Sequence, residues 1–414
     1  MPNVLVVRQP IFTPRLEVAG YELLCHGGSV ADALVAEAEG ITATATVVLD
    51  SFIEIALERV VGSKTAWVTV AREFVTGVRA RPVPRGHIGL ELLGDVGVDD
   101  ELLAGLRRLK RLGYRLALDG SQRAGDAAPL LALADLLRLD LRTVGRDALE
   151  EQVARLKAHA VPIVVAGVDT HADHELCAAA GCDLIQGLFF CEPVAPRGGG
   201  IAANRLALLN LVGALHDPAI ELSDLEYLLA GDLALSLRLL QYINSAFFWL
   251  RGEVRSIGQA LALLGVAKLR QWAILSVLAS IDDKPAELTV LALIRARFCQ
   301  QAGEQWQLAS PGELFMLGLF SVIDALIDAS MGEVLAQLPL PADVCDALIH
   351  RAGRKGLLLD CVTALESGAF ERAQAIVERA GELYCEAVIW AVHAAGALFA
   401  QPDGADVEAP ETQP

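Results

Sequence analysis

The sequence predicts two domains of different class, an α/β TIM-like barrel over residues 1–192 followed by an all-α helical domain over residues 201–400. Three observations carry that expectation. Eight short β-branched runs punctuate the first half, segments of helical period lie between most of them, and beyond residue 200 the alternation gives way to helical periods alone.

The strand candidates are VLVVRQP, VAGYELLC, AWVTVA, HIGLELL, YRLALDG, LLRLDL, PIVVAGV and LIQGLFF. Helical segments between them include TATATVVLDSFIEIALERV and DDELLAGLRRLKRLG, the latter ending at Gly113, a left-handed cap. Strands and helices alternating in this way suit a compact barrel, whose chemistry collects at the C-terminal strand ends. CEPVAPRGGG (191–200) then gathers two prolines and three glycines, which break regular structure, so a linker is placed at 193–200. A shift of the two domains about that linker is the expected mechanical device. The helical half runs from AANRLALLNLVGALH to CEAVIWAVHAAGALFA, and the acidic, proline-rich residues 401–414 are expected to be a disordered tail.

Composition narrows the function classes. The chain has 414 residues, 54 % of them hydrophobic, enough for two cores, and a formal charge of −18 that opposes phosphate-driven nucleic-acid binding. HRAGRKG (350–356) is a local basic patch, and its GRKG portion reads as a solvated turn. The apolar run LFMLGLFSVIDALI (314–327) falls short of a membrane span and carries Asp324, so it reads as a buried core helix and no membrane partner is expected. Eight scattered cysteines and the lack of an opening leader pattern predict reduced thiols in the cytoplasm.

RQPIF (8–12), GYELL (20–24), LELLGD (90–95), LALDG (116–120), LRLD (137–140), VAGVDT (165–170) and IQGLFF (185–190) stand in the order of the EAL domain's strand motifs. The first half therefore resembles that family of cyclic di-GMP phosphodiesterases. LLAGDLALSLRLLQYINSAFF (228–248) and VRSIGQALALLGVAKLRQWAIL (254–275) resemble the HDOD domain, a helical signalling module related to HD hydrolases but without their metal ligands.

The EAL resemblance implies a phosphodiester cleaved with two divalent cations, each needing several oxygen donors. Matched position by position, Glu22, Glu91 and Asp119 keep carboxylates, and Gln9 and Gln186 are retained as groups able to meet a guanine. Other positions are substituted. The phosphate-contacting arginine falls at His26, the ligating asparagine at Thr69, the second of two paired aspartates at Gly120, and the lysine that activates water at Arg138. VAGVDT is one residue short, so a ligating glutamate is missing between Ala166 and Gly167, while Asp169 keeps a carboxylate nearby. A two-metal mechanism cannot spare so many ligands, and a guanidinium does not shed a proton.

Two further constellations carry less. His216 and Asp217 form an HD pair without further ligands around it, and Pro218 follows where a helix stops. His171, His174, Cys177 and Cys182 are zinc-type donors, but the segment reads as a capped helix with Thr170 and Asp173 as capping box and Gly181 as terminator. FFWL (247–250) reads as core or interface. The expectation is a non-catalytic signalling protein acting through protein partners, with no cofactor or metal. Cyclic di-GMP binding without hydrolysis is the alternative, an active cyclic di-GMP phosphodiesterase ranks behind it, and a homo-oligomer stays open.

Overall fold

The computed structural model describes residues 5–26, 59–77, 88–92, 97–121, 129–194, 201–216, 224, 226, 227, 229, 233–244 and 254–399. The expected linker residues 195–200, the helical segment before residue 59, Asp217, the FFWL patch and the tail lie outside them.

Eight strands close into a barrel in chain order. They are β1 (Leu5–Phe12), β2 (Val18–His26), β3 (Thr65–Thr69), β4 (Ile88–Leu92), β5 (Arg115–Asp119), β6 (Leu136–Asp140), β7 (Ile163–Ala166) and β8 (Leu184–Gln186). β1 runs antiparallel to both β2 and β8, and the remaining neighbours are parallel. Side chains alternate between the two faces of each strand, so one set fills the barrel and the other meets the surrounding helices. The floor of the interior is apolar: Ile11, Trp67, Ala117, Leu136 and Val164 form one buried cluster. Gly89 is required there, because a Cβ at that position would stand 2.2 Å from the Trp67 ring.

The helices around the barrel follow their sequence signals. In α1 (Asp100–Leu112), Asp99 accepts from Leu102 N and Gly113 closes the helix, while Leu102, Leu106 and Leu109 face the core. In α2 (His171–Ala180), Thr170 accepts from Asp173 N and Gly181 terminates, as the capping pattern predicts.

The second half is helical throughout its described residues, beginning with α3 (Ala203–His216). Its centre is α4 (Ala286–Gln305), which packs against α5 (Pro311–Phe320) and against α8 (Ala380–Phe399), with α6 (Gly353–Glu366) and α7 (Phe370–Ile376) alongside. Two expectations need correction. The run 314–327 is two helices, α5 and Ile323–Ile327, because the backbone leaves helical geometry at Val322 (φ −126°, ψ 14°), just after the Ser321 hydroxyl donates to the Gly318 carbonyl. GRKG is the first turn of α6, where Lys355 pairs with Asp343 at 2.5 Å and with Glu313. Among the described residues α8 alone is long and apolar enough to cross a membrane, yet Leu383, Tyr384, Ala387, Val388 and Ala391 are buried within the helical half.

The halves meet at β1 and β2, on buried charge. Glu287 of α4 accepts from Arg8 Nη2 at 3.0 Å and from the Tyr21 hydroxyl at 2.8 Å, and the Arg8 guanidinium lies 4.3 Å from the Tyr21 ring centre. The Arg8 and Glu287 side chains are 3 % and 6 % exposed, so neither can turn to water if the other is lost. Deeper in the helical half, Arg295 makes a two-pronged ion pair with Glu366 (2.9 and 2.6 Å) and donates to Ser321. Nearby, Val194 N donates to Asp328 Oδ1, tying the chain just past the barrel to the helical half.

Removing one partner of a buried ion pair strands the other. Glu287→Ala is expected to lower unfolding free energy by about 3–5 kcal/mol in urea titrations, whereas replacing Arg8 and Glu287 together by Met should cost far less.

Candidate functional site

Above the apolar floor, the next inward positions form a polar layer. Gln9 and Glu22 are register partners on β1 and β2, and Asp119 and Arg138 are partners on β5 and β6. At the centre of the layer stands Arg138. Its Nη2 lies 3.1 Å from Glu22 Oε2 and its Nε 3.0 Å from Glu91 Oε1. Its Nη1 donates to Gln186 Oε1 at 2.8 Å, and Gln186 Nε2 in turn donates to Glu22 Oε2 at 2.6 Å and to Gln9 Oε1 at 3.1 Å. Gln9 Nε2 completes the chain by donating to the main-chain oxygen of Glu366, at 2.7 Å.

The structure thus gathers five of the sequence-predicted residues, Gln9, Glu22, Glu91, Arg138 and Gln186, into one network. Asp119 and Asp169 stand outside it. Asp119 is turned onto its own loop, accepting from Ser121 N and Oγ at 2.8 and 2.6 Å. Asp169 pairs with Arg142 at 2.6 Å, and both are exposed. Thr69 ends β3, opposite Glu91 in register, and His26 ends β2 opposite Leu5. At Gly120 a Cβ would stand 2.6 Å from Leu156 Cδ1 and 3.3 Å from the Arg138 carbonyl, so an aspartate there would require Leu156 to move.

Burial sets the electrostatics. The side chains of Glu22, Glu91 and Arg138 are 5 %, 2 % and 13 % exposed, and two carboxylates share one guanidinium. Burial pushes the Glu91 carboxyl up to about 8, and the neighbouring Glu22 charge adds to that shift while Arg138 opposes it. The two divalent cations implied by the resemblance need several oxygens converging on each ion. Here the converging oxygens hold a cation that is part of the chain, and Asp119 and Asp169 face elsewhere. Among the described residues, those gathered here do not fit a pair of divalent cations.

The other donor constellations are taken up in packing. His171 Nε2 lies 2.9 Å from the Glu192 carbonyl, His174 stacks on Phe189, and Cys177 and Cys182 are buried in the core. His216 packs edge-on against Phe320. Among the described residues no three His, Cys, Asp or Glu side chains gather in a metal-holding arrangement.

The family model of the EAL domain matches residues 3–193, and that of the HDOD domain matches residues 206–338. The chain is an EAL domain followed by an HDOD domain. Over nearly its full length this EAL–HDOD chain is similar to the Bacillus subtilis protein YuxH, 25% identical over 94% of this chain and 98% of that one. It is also similar to the Vibrio cholerae cyclic di-GMP phosphodiesterase CdgJ, 28% identical over 90% of this chain and 87% of that one. Among solved structures, an EAL domain protein of Listeria monocytogenes is 16% identical, covering 45% of this chain and 87% of that chain, with a TM-score of 0.33. Klebsiella pneumoniae BlrP1 with manganese and cyclic di-GMP is 19% identical, covering 46% of this chain and 56% of that chain, with a TM-score of 0.35.

Three groups gave no site signal in the sequence. Glu287 and Arg295 are lone charges in the apolar stretch AELTVLALIRA, a signal that each needs a buried partner. The Glu366 carbonyl left no signal, because a main-chain acceptor has no residue type and Gln9 lies 357 positions away.

The raised Glu91 carboxyl gives a pH test. Between its ordinary 4.5 and about 8 the folded state holds a proton that the unfolded chain has released, so stability falls as pH rises through that window. In Glu91→Gln that component is expected to vanish. Urea midpoints from pH 5 to pH 8 should fall more steeply in the native chain than in the variant.

Proposed function

We propose that this EAL–HDOD chain is a non-catalytic signalling protein that acts through protein partners in the cytoplasm. One observation carries the reading: the Arg138 guanidinium lies between Glu22 and Glu91, where the resemblance implies metal-ligating carboxylates. A fixed positive charge in that place repels a divalent cation and, unlike a lysine, cannot give up its proton to activate water. The substitutions at Gly120 and Thr69 remove further donors.

Large apolar side chains on the HDOD surface support the choice of a protein partner. Tyr227 is 80 % exposed and Leu263 58 %. Cys177, Cys182, Cys191, Cys299, Cys345 and Cys361 are free thiols, in keeping with a reducing compartment. The buried contacts between the halves mean that a relative shift of the domains would have to break Arg8–Glu287 as well as flex the linker.

Gln9 and Gln186 favour a second reading, cyclic di-GMP binding without hydrolysis, since both amides survive inside the barrel. CdgJ is described as a cyclic di-GMP phosphodiesterase, and the measurement must therefore separate turnover from binding. Incubated with cyclic di-GMP and manganese or magnesium at high protein concentration, the chain is expected to yield no linear dinucleotide; product formation would refute the proposal. Calorimetric heat without product would instead favour the receptor. For the partner, affinity capture with the native chain and with Tyr227→Ser plus Leu263→Ser is expected to give different partner sets, and identical sets would count against an HDOD docking face.

A further inference from the structure

The turn joining α6 to α7 makes contacts that neither domain needs for its own core. Gln9 belongs to the barrel's interior network, yet its Nε2 donates outward to the Glu366 carbonyl. That carbonyl is the last of α6, one of four at a helix end that have no intrahelical donor. Gly368 lies two residues further on, where a Cβ would stand 3.3 Å from Leu24 Cδ1. Leu24 is the next position beyond Glu22 on the same face of β2, on the side where the barrel opens. The turn is also held from behind, because the Glu366 carboxylate, 2 % exposed, is locked by Arg295.

We propose that the α6–α7 turn is a built-in occupant of the barrel mouth, a strap on the β1–β2 side that keeps other ligands from Gln9 and links the polar layer to the helical half. The Gln9 amide has two roles at once, accepting from Gln186 inside and donating to Glu366 outside. A ligand that took Gln9's donor would have to displace the turn. Movement of α6 would, in the same way, free Gln9 and disturb the Gln186–Glu22–Arg138 network. The strap stands on these contacts and holds whether or not the barrel turns over a nucleotide.

A matched pair of substitutions in the full-length chain tests it by amide hydrogen exchange. Gly368 and Gly353 both have left-handed φ angles, +78° and +67°, and nothing lies within 4 Å of a Cβ at Gly353. Asparagine tolerates that backbone, so Gly368→Asn and Gly353→Asn share the conformational cost and differ in the wedge against Leu24. In Gly368→Asn, amides of residues 5–26 and 366–370 are expected to exchange about tenfold faster, with α1 unchanged. Gly353→Asn should leave these segments as in the native chain. Adding Leu24→Ala to Gly368→Asn removes the atom the wedge meets and should restore native exchange. Gln9→Met, which keeps the shape but not the donor, should also speed exchange at 366–370. Equal behaviour of the two asparagine variants, uniform acceleration across the chain, or no effect of Gln9→Met would overturn the proposal.

Discussion

Carboxylates inside a barrel must be neutralised, and here the neutralising charge is Arg138. A buried carboxylate without a counter-charge costs several kcal/mol or takes up a proton. A dication pair can balance many acidic ligands; one guanidinium can balance one, with a second held partly by proton uptake. The polar layer obeys that count. Glu22 and Glu91 face Arg138, Glu91 is pushed toward its neutral form, and Asp119 and Asp169 are turned to other partners. On the function proposed above, arginine at 138 and glycine at 120 belong to one electrostatic change.

The same economy governs the joint between the halves. β1 and β2 present Arg8 and Tyr21 on the outer face of the barrel, and α4 answers with Glu287. On the inner face, Gln9 is answered by the end of α6. One strand therefore binds the helical half from both of its faces, which is possible because alternate residues point in opposite directions. The helices that meet the inner face lie beyond residue 338, where the HDOD match ends.

Most of the architecture was legible in the sequence. Strand periods, capping residues and the change of pattern near residue 200 reflect local physics, and the barrel and helical half follow them. The five residues of the polar layer were legible as motif positions, but what they do was not. Arg138 read as a lost lysine, when its guanidinium is long enough and forked enough to reach Glu22, Glu91 and Gln186 together. The break at Val322 was hidden for a different reason: neither glycine nor proline stands at Ser321 or Val322 to mark it. Contacts such as Gln9 to Glu366 join segments far apart in the chain, where periodicity has no reach.

The Arg295–Glu366 pair has a consequence for how such proteins can be reshuffled. The HDOD match stops at residue 338, yet the carboxylate that neutralises Arg295 comes from residue 366. Recombination at the family boundary would carry away a buried cation without its anion, and transferring the barrel alone would orphan Glu287 as well. The unit that can be inherited intact is larger than either family and includes the C-terminal helices. Lineages should exchange the whole assembly or none of it.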